Sequence, residues 1–152
     1  MQKLRLYFIQ AATSFCVAAF LFTSCQKENE LVSNQHYLAI HEIAGLKSIT
    51  DTLLPQIQAD TSLYPFFAQQ GIFVNENTTL NYQNNLIDFL CQQLNGPCKY
   101  KAGNLFFLDE TAKLYISTYM STALDKNLVV GETKDAVLLH FKDFLSLQNV
   151  AQ

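Results

Sequence analysis

Cys91 and Cys98 stand seven residues apart across Asn95-Gly96-Pro97, and two thiols at that spacing either bond to each other or do separate jobs. On a continuous helix their Cα atoms would lie about 10 Å apart, too far for a bridge; a chain reversal at Gly96 would close the gap. Without that reversal, Cys91 is a small packed hydrophobe and Cys98 an exposed thiol. Tyr37 and His41, four apart, share one face of a helix and could form a Tyr/His ligand pair, although residues so placed are more simply ordinary half-exposed helix positions. Asp109-Glu110 are adjacent acids, and at a helix start such neighbours are explained by capping and by the helix dipole. The chain carries no Gly-x-Ser-x-Gly elbow, His-Glu-x-x-His, Cys-x-x-Cys or phosphate-binding glycine loop. Enzyme chemistry is not expected of it.

The other informative thiol is Cys25. Ahead of it lie Lys3 and Arg5, then nineteen uncharged residues from Leu6 to Ser24, ending small in Thr23-Ser24. A basic n-region, an apolar h-region and small residues before a cut are the parts of a secretory signal. With Cys as the first residue after the cut, the segment resembles a bacterial lipoprotein signal, whose cysteine receives lipid. Phe22 holds the place where that signal usually has Leu. Behind Cys25 the run Gln26-Lys27-Glu28-Asn29-Glu30 resembles the acidic tether that routes lipoproteins of Bacteroidetes type to the outer face of the outer membrane. The alternative is a signal anchor retained in the bilayer, since nineteen uncharged residues fall within spanning length, with Gln10, Thr13 and Ser14 lowering its apolar drive. The expected organisation is a signal peptide over 1–24, a polar tether over 25–33 and a domain over 34–152. The expected address is the outer membrane, with the bilayer as partner through the anchor.

Loss of residues 1–24 leaves 128 residues, a single-domain length. Eight basic against thirteen acidic residues remain, a net charge of −5, which argues against a nucleic-acid groove. Twelve Phe, seven Tyr and few Gly or Pro indicate a helical, aromatic core rather than a many-turned sandwich. A first helix is expected over 34–44. In the second, Ile49, Leu53 and Ile57 recur every fourth residue, and Pro55 should kink that helix or end it early. A short aromatic corner, Leu63-Tyr64-Pro65-Phe66-Phe67, follows. Thr78 or Thr79 should cap the next helix, which buries Leu86, Leu90 and Leu94 and stops at Asn95-Gly96-Pro97. Asp109 or Thr111 should cap a helix running to about Leu124. Thr133 should cap the last, whose stripe is Val137, Phe141 and Leu145. The fold class is all-α, with about five helices.

Two of these segments resemble the truncated haemoglobins of the group 1 kind. Ala59-Asp60-Thr61-Ser62-Leu63-Tyr64-Pro65-Phe66-Phe67 is similar to the family segment that closes the second helix and brings a Phe over the haem. Phe89-Leu90 with Leu94-Asn95-Gly96-Pro97 and Tyr100 is similar to the end of the family's helix E. Tyr37 falls at the family's early Tyr, and Gly131-Glu132-Thr133-Lys134-Asp135 resembles the entrance to its final helix. The resemblance covers about residues 36–150 and implies a truncated-globin-like helical domain, with Leu54, Phe66, Phe67 and Leu86 at positions that line the haem pocket.

The same comparison implies that haem ligation is lost. The family's proximal His stands about nine residues after the Tyr matched by Tyr100, which here is Asp109, and the stretch from Tyr100 to Leu108 is about six residues short. The distal Phe-Tyr pair falls on Leu53-Leu54, the helix E Gln on Leu86, and the Gly-Gly of the first turn on His41-Glu42. No His lies between His41 and His140. His36 and His41 are about 140° apart around a helix and cannot face one iron, so His41 and His140 are the fallback ligands, each more simply an ordinary packed or exposed side chain. No cofactor is expected, with haem on an unusual ligand as the alternative. The expected function is a membrane-anchored binding or structural module.

Overall fold

Ile49, Leu53 and Ile57 are each wholly buried, as are Leu86 and Leu90 and, on the last helix, Val137 and Phe141. These stripes at helical spacing determine where the long helices face. In the computed structural model, which describes residues 34–102 and 108–147, they belong to six α-helices: α1 (Gln35–Ala39), α2 (Glu42–Ala59), α3 (Tyr64–Gln69), α4 (Glu76–Gln93), α5 (Glu110–Lys126) and α6 (Gly131–Leu147). No strand occurs among the described residues. The domain is all-α, with one helix more than expected because the aromatic corner itself forms the short helix α3. The segments expected to be signal and tether, Cys25 included, lie outside the described residues. Among the described helices none is long and apolar enough to cross a membrane.

The long helices α2 and α6 each pack against both α4 and α5, while α1 lies on α2 and α6, and α3 on α2. One continuous core results, running from Tyr37 on α1 to Leu145 on α6.

Several boundaries differ from expectation for identifiable reasons. The first helix ends at Ala39 instead of running to residue 44, because His41 and Glu42 both take positive φ, 61° and 62°, and turn the chain sharply. That turn presses the carbonyl of Ile40 onto Gly45, where a Cβ would overlap it. Pro55 does not end α2, which continues to Ala59; the proline is exposed, so the missing N–H and the carbonyl it leaves lie on the wet side. Helix α4 is capped by Asn75, whose side chain accepts from the Thr78 N–H at 3.0 Å while the Thr78 hydroxyl accepts from the Asn75 N–H at 3.1 Å. Thr78 is thus the reciprocal partner in a capping box, not the cap. Asp109 does cap α5, accepting from the Ala112 N–H at 2.6 Å. The last helix starts at Gly131, two residues before Thr133.

Three helices end in the same paired hydrogen bonds. After α4 the Gly96 N–H donates to the Cys91 carbonyl and the Asn95 N–H to the Gln92 carbonyl, a Schellman motif with Asn95 in the left-handed position at φ 60°. The left-handed residue is therefore Asn95, and Gly96 is needed for a different reason: a Cβ there would lie 2.7 Å from the Cys91 sulfur and 2.8 Å from the Tyr37 ring. Gly71 closes α3 and Leu128 closes α5 by the same pattern.

Candidate functional site

The positions that in a globin would surround a haem are held by α2, α3 and α4. Leu53, Leu86 and Phe67 have no exposed surface and Leu54 is 3% exposed. Shut off from water to this degree, these four side chains face no open slot that could admit a flat macrocycle. Aromatic rings fill the space. Phe67 lies 4.8 Å from Phe73 and 5.8 Å, edge-on, from Tyr82. Tyr82 meets Phe144 at 6.0 Å, and Phe144 meets Phe89 at 5.2 Å. These separations are those of favourable tilted and edge-to-face pairs, and the chain of rings links the aromatic corner to α4 and α6. Burial of Tyr82 pushes its phenol well above the usual tyrosine range. Phe66 departs from the rest of the corner: it is only half-buried and lies outside the core cluster.

The proximal side offers haem no better fit. Asp109, at the ligand position, is exposed and spends its carboxylate on the cap of α5. His41 is exposed in the left-handed turn between α1 and α2. Because the helix breaks there, His41 and Tyr37 do not share one helical face as a ligand pair would need; Tyr37 is buried and abuts Gly96. His140 has a buried Nδ1 with no hydrogen-bond partner, 3.6 Å from an Asp143 carboxylate oxygen on the same helix. His36 lies 3.1 Å from the Thr133 hydroxyl, tying α1 to the start of α6. No three His, Cys, Asp or Glu side chains gather into a metal-binding group among the described residues. The described residues at the distal and proximal positions that the resemblance assigns include no histidine.

Cys91 and Cys98 are joined as a disulfide, with Cα atoms 5.7 Å apart. The Schellman turn at Asn95-Gly96 supplies the reversal that brings them together. Tyr100, just beyond, donates its N–H to the Gln92 side chain at 2.7 Å and sets its ring edge-on to Phe89 at 5.1 Å. The motif from Phe89 to Tyr100 is thereby a single packed knot around one helix end.

Polar contacts that periodicity did not reveal hold the helices in register. Gln83, buried on α4, donates to the Thr50 hydroxyl at 2.9 Å and to the Asp51 carboxylate at 2.6 Å on α2. Asp51 is held below the usual carboxylate range, first by its bond from Lys47 and also by that from Gln83. Asp60 caps the turn after α2 by accepting from Ser62 N at 2.7 Å, and its other oxygen accepts from the Tyr119 hydroxyl of α5 at 2.7 Å. Asn127 accepts from Ser48 at 2.6 Å and donates to Thr52. The available signal was weak: Gln83 sits three residues before Leu86, on the apolar face of α4, where a polar residue demands a partner.

Among the described residues, surface grooves include ones of 490, 430 and 380 Å³. The first is lined by Gln58, Phe73, Asn75 and neighbours, the second by Lys113, Leu114, Lys142 and neighbours. The third lies between the α1–α2 and α5–α6 turns, against Ala39, His41, Ala44 and Leu128. None is lined by Leu53, Leu54, Phe67 or Leu86. No protein-family model matches the chain, and no curated protein matches it in sequence.

Proposed function

We propose that the chain is a lipoprotein of the bacterial outer membrane, anchored through Cys25, whose helical domain has a truncated-globin-like layout and serves as a binding or structural module. The observation that carries this reading is the packing of Leu53, Leu54, Leu86 and Phe67, four positions where the resemblance puts the haem, which are all but shut off from solvent. An apolar residue at each distal position fills volume that would otherwise forfeit dispersion contacts. Haem without an axial side chain would rest on apolar burial alone, and here that burial is already used by protein. The reading assigns no catalysis, and the acidic balance of the chain gives nucleic acid no purchase.

Two experiments test its two halves. Protein purified from haem-replete cells should carry no stoichiometric pigment; a one-to-one Soret band lost in His140→Ala or His41→Ala would replace this reading with a haem protein on an unusual ligand. Labelled fatty acid should enter the wild-type chain and not Cys25→Ala. Label retained in that variant would remove the anchor from the account.

A further inference from the structure

Leu128 breaks a local rule without an internal compensation. It occupies the left-handed position after α5, at φ 59°, where a Cβ is disfavoured and glycine or asparagine is usual. Its side chain is 85% exposed, so no packing within the domain offsets the strain. Val130, two residues on, is 70% exposed, and across the third groove Leu38 and Ile43 flank the α1–α2 turn with about half their surface in water. The groove lined by Ala39, His41, Ala44 and Leu128 joins these two turns. The contacts His36–Thr133 and Ser48–Asn127 fix them to each other. Leu128 lines this groove, and Leu38, Ile43 and Val130 each stand next in sequence to a residue that lines it.

The chain enters the domain through α1, whose last residue, Ala39, lines the groove. Asn34 immediately precedes α1, and the nine residues from Cys25 to Ser33 span at most about 30 Å fully extended. Resting on the lipoprotein reading above, we infer that Leu38, Ile43, Leu128 and Val130 are a membrane-contact face, which seats the domain on the bilayer holding its anchor. Glu42 and Glu132, at the starts of α2 and α6, border the patch, so apolar insertion rather than attraction to anionic headgroups drives the contact. Four exposed side chains bind a bilayer weakly alone. An acyl anchor within tether reach raises their effective concentration, so a weak second contact suffices.

The test supplies the anchor chemically, so that it stands or falls apart from acylation in the cell. In a chain beginning at residue 25, Cys25 is the one thiol left once Cys91 and Cys98 are paired, and it can be coupled to a maleimide lipid in phosphatidylcholine vesicles carrying brominated acyl chains. The protein has no Trp, so Leu128→Trp and, as a control on the second groove, Leu114→Trp each report one site. The expected result is a blue shift and severalfold stronger bromine quenching in the Leu128→Trp chain than in the Leu114→Trp chain, abolished by adding Ile43→Asp and Val130→Asp with helicity unchanged. Equal quenching of both reporters, no quenching of either, or a dimer formed through the same residues without vesicles would overturn the inference.

Discussion

The non-glycine residues at positive φ carry the most information for their size. His41 and Glu42 stand where the family resemblance places two glycines, and they adopt the left-handed backbone that glycine would adopt freely. Leu128 takes the same backbone, and because its side chain touches little, Leu128→Gly should raise stability by about 1 kcal/mol, read as a higher urea midpoint with unchanged slope. Asp60 and Tyr119 give a pH signature. The Tyr119 hydroxyl, followed by the Ser62 N–H, holds the Asp60 carboxyl below its ordinary range, and the same bond raises the Tyr119 phenol. A depressed carboxylate contributes stability that is present above its unfolded pKa of about 3.9 and is lost as pH falls through the lower folded value. The raised phenol contributes below about pH 10 and loses its share as pH rises through the folded value. The stability difference between wild type and Tyr119→Phe should therefore be flat through neutral pH and shrink below about pH 4. A difference that stays constant into strong acid would show that the bond does not couple to Asp60 ionisation.

At the scale of elements, what periodicity can express was legible and what tertiary contact decides was not. The stripes Ile49-Leu53-Ile57, Leu86-Leu90-Leu94 and Val137-Phe141-Leu145 are all buried, because a 3.6-residue repeat records one solvent-avoiding face. The split of the first helix was not legible, since nothing local marks His41 and Glu42 as left-handed. The cap of α4 was misplaced by three residues because Asn75 and Thr78 are both good cap residues and only the backbone decides which is which. The disulfide depended on a reversal whose left-handed residue is Asn95, one position before the glycine that drew attention. Of the candidate pocket, Leu54, Phe67 and Leu86 belong to one core, whereas Phe66, next to Phe67 in sequence, points its exposure the other way because neighbours on a helix lie about 100° apart. Phe67→Ala, removing a ring in contact with Phe73 and Tyr82, should cost about 3 to 5 kcal/mol, while Phe66→Ala should cost clearly less in the same denaturation experiment. Equal losses would mean that the corner packs differently from the arrangement described.

At the scale of the molecule, the interior is closed. Rings from α3, α4 and α6 and leucines from α2 and α4 share one core, and Gln83 and Asn127 tie the middle of α2 to its neighbours, while Asp60 ties its C-terminal end. Opening a slot wide enough for a macrocycle would mean separating α2 from α4, exposing Leu53, Leu54 and Leu86 and breaking the Gln83 bonds together. Such a rearrangement is disfavoured by every contact it would break. Hemin titrated into the mature protein, followed in the Soret region, tests this most directly. The account predicts a weak, non-saturating broad absorbance that is unchanged in His41→Ala and His140→Ala; a sharp one-to-one endpoint abolished by either substitution would contradict it.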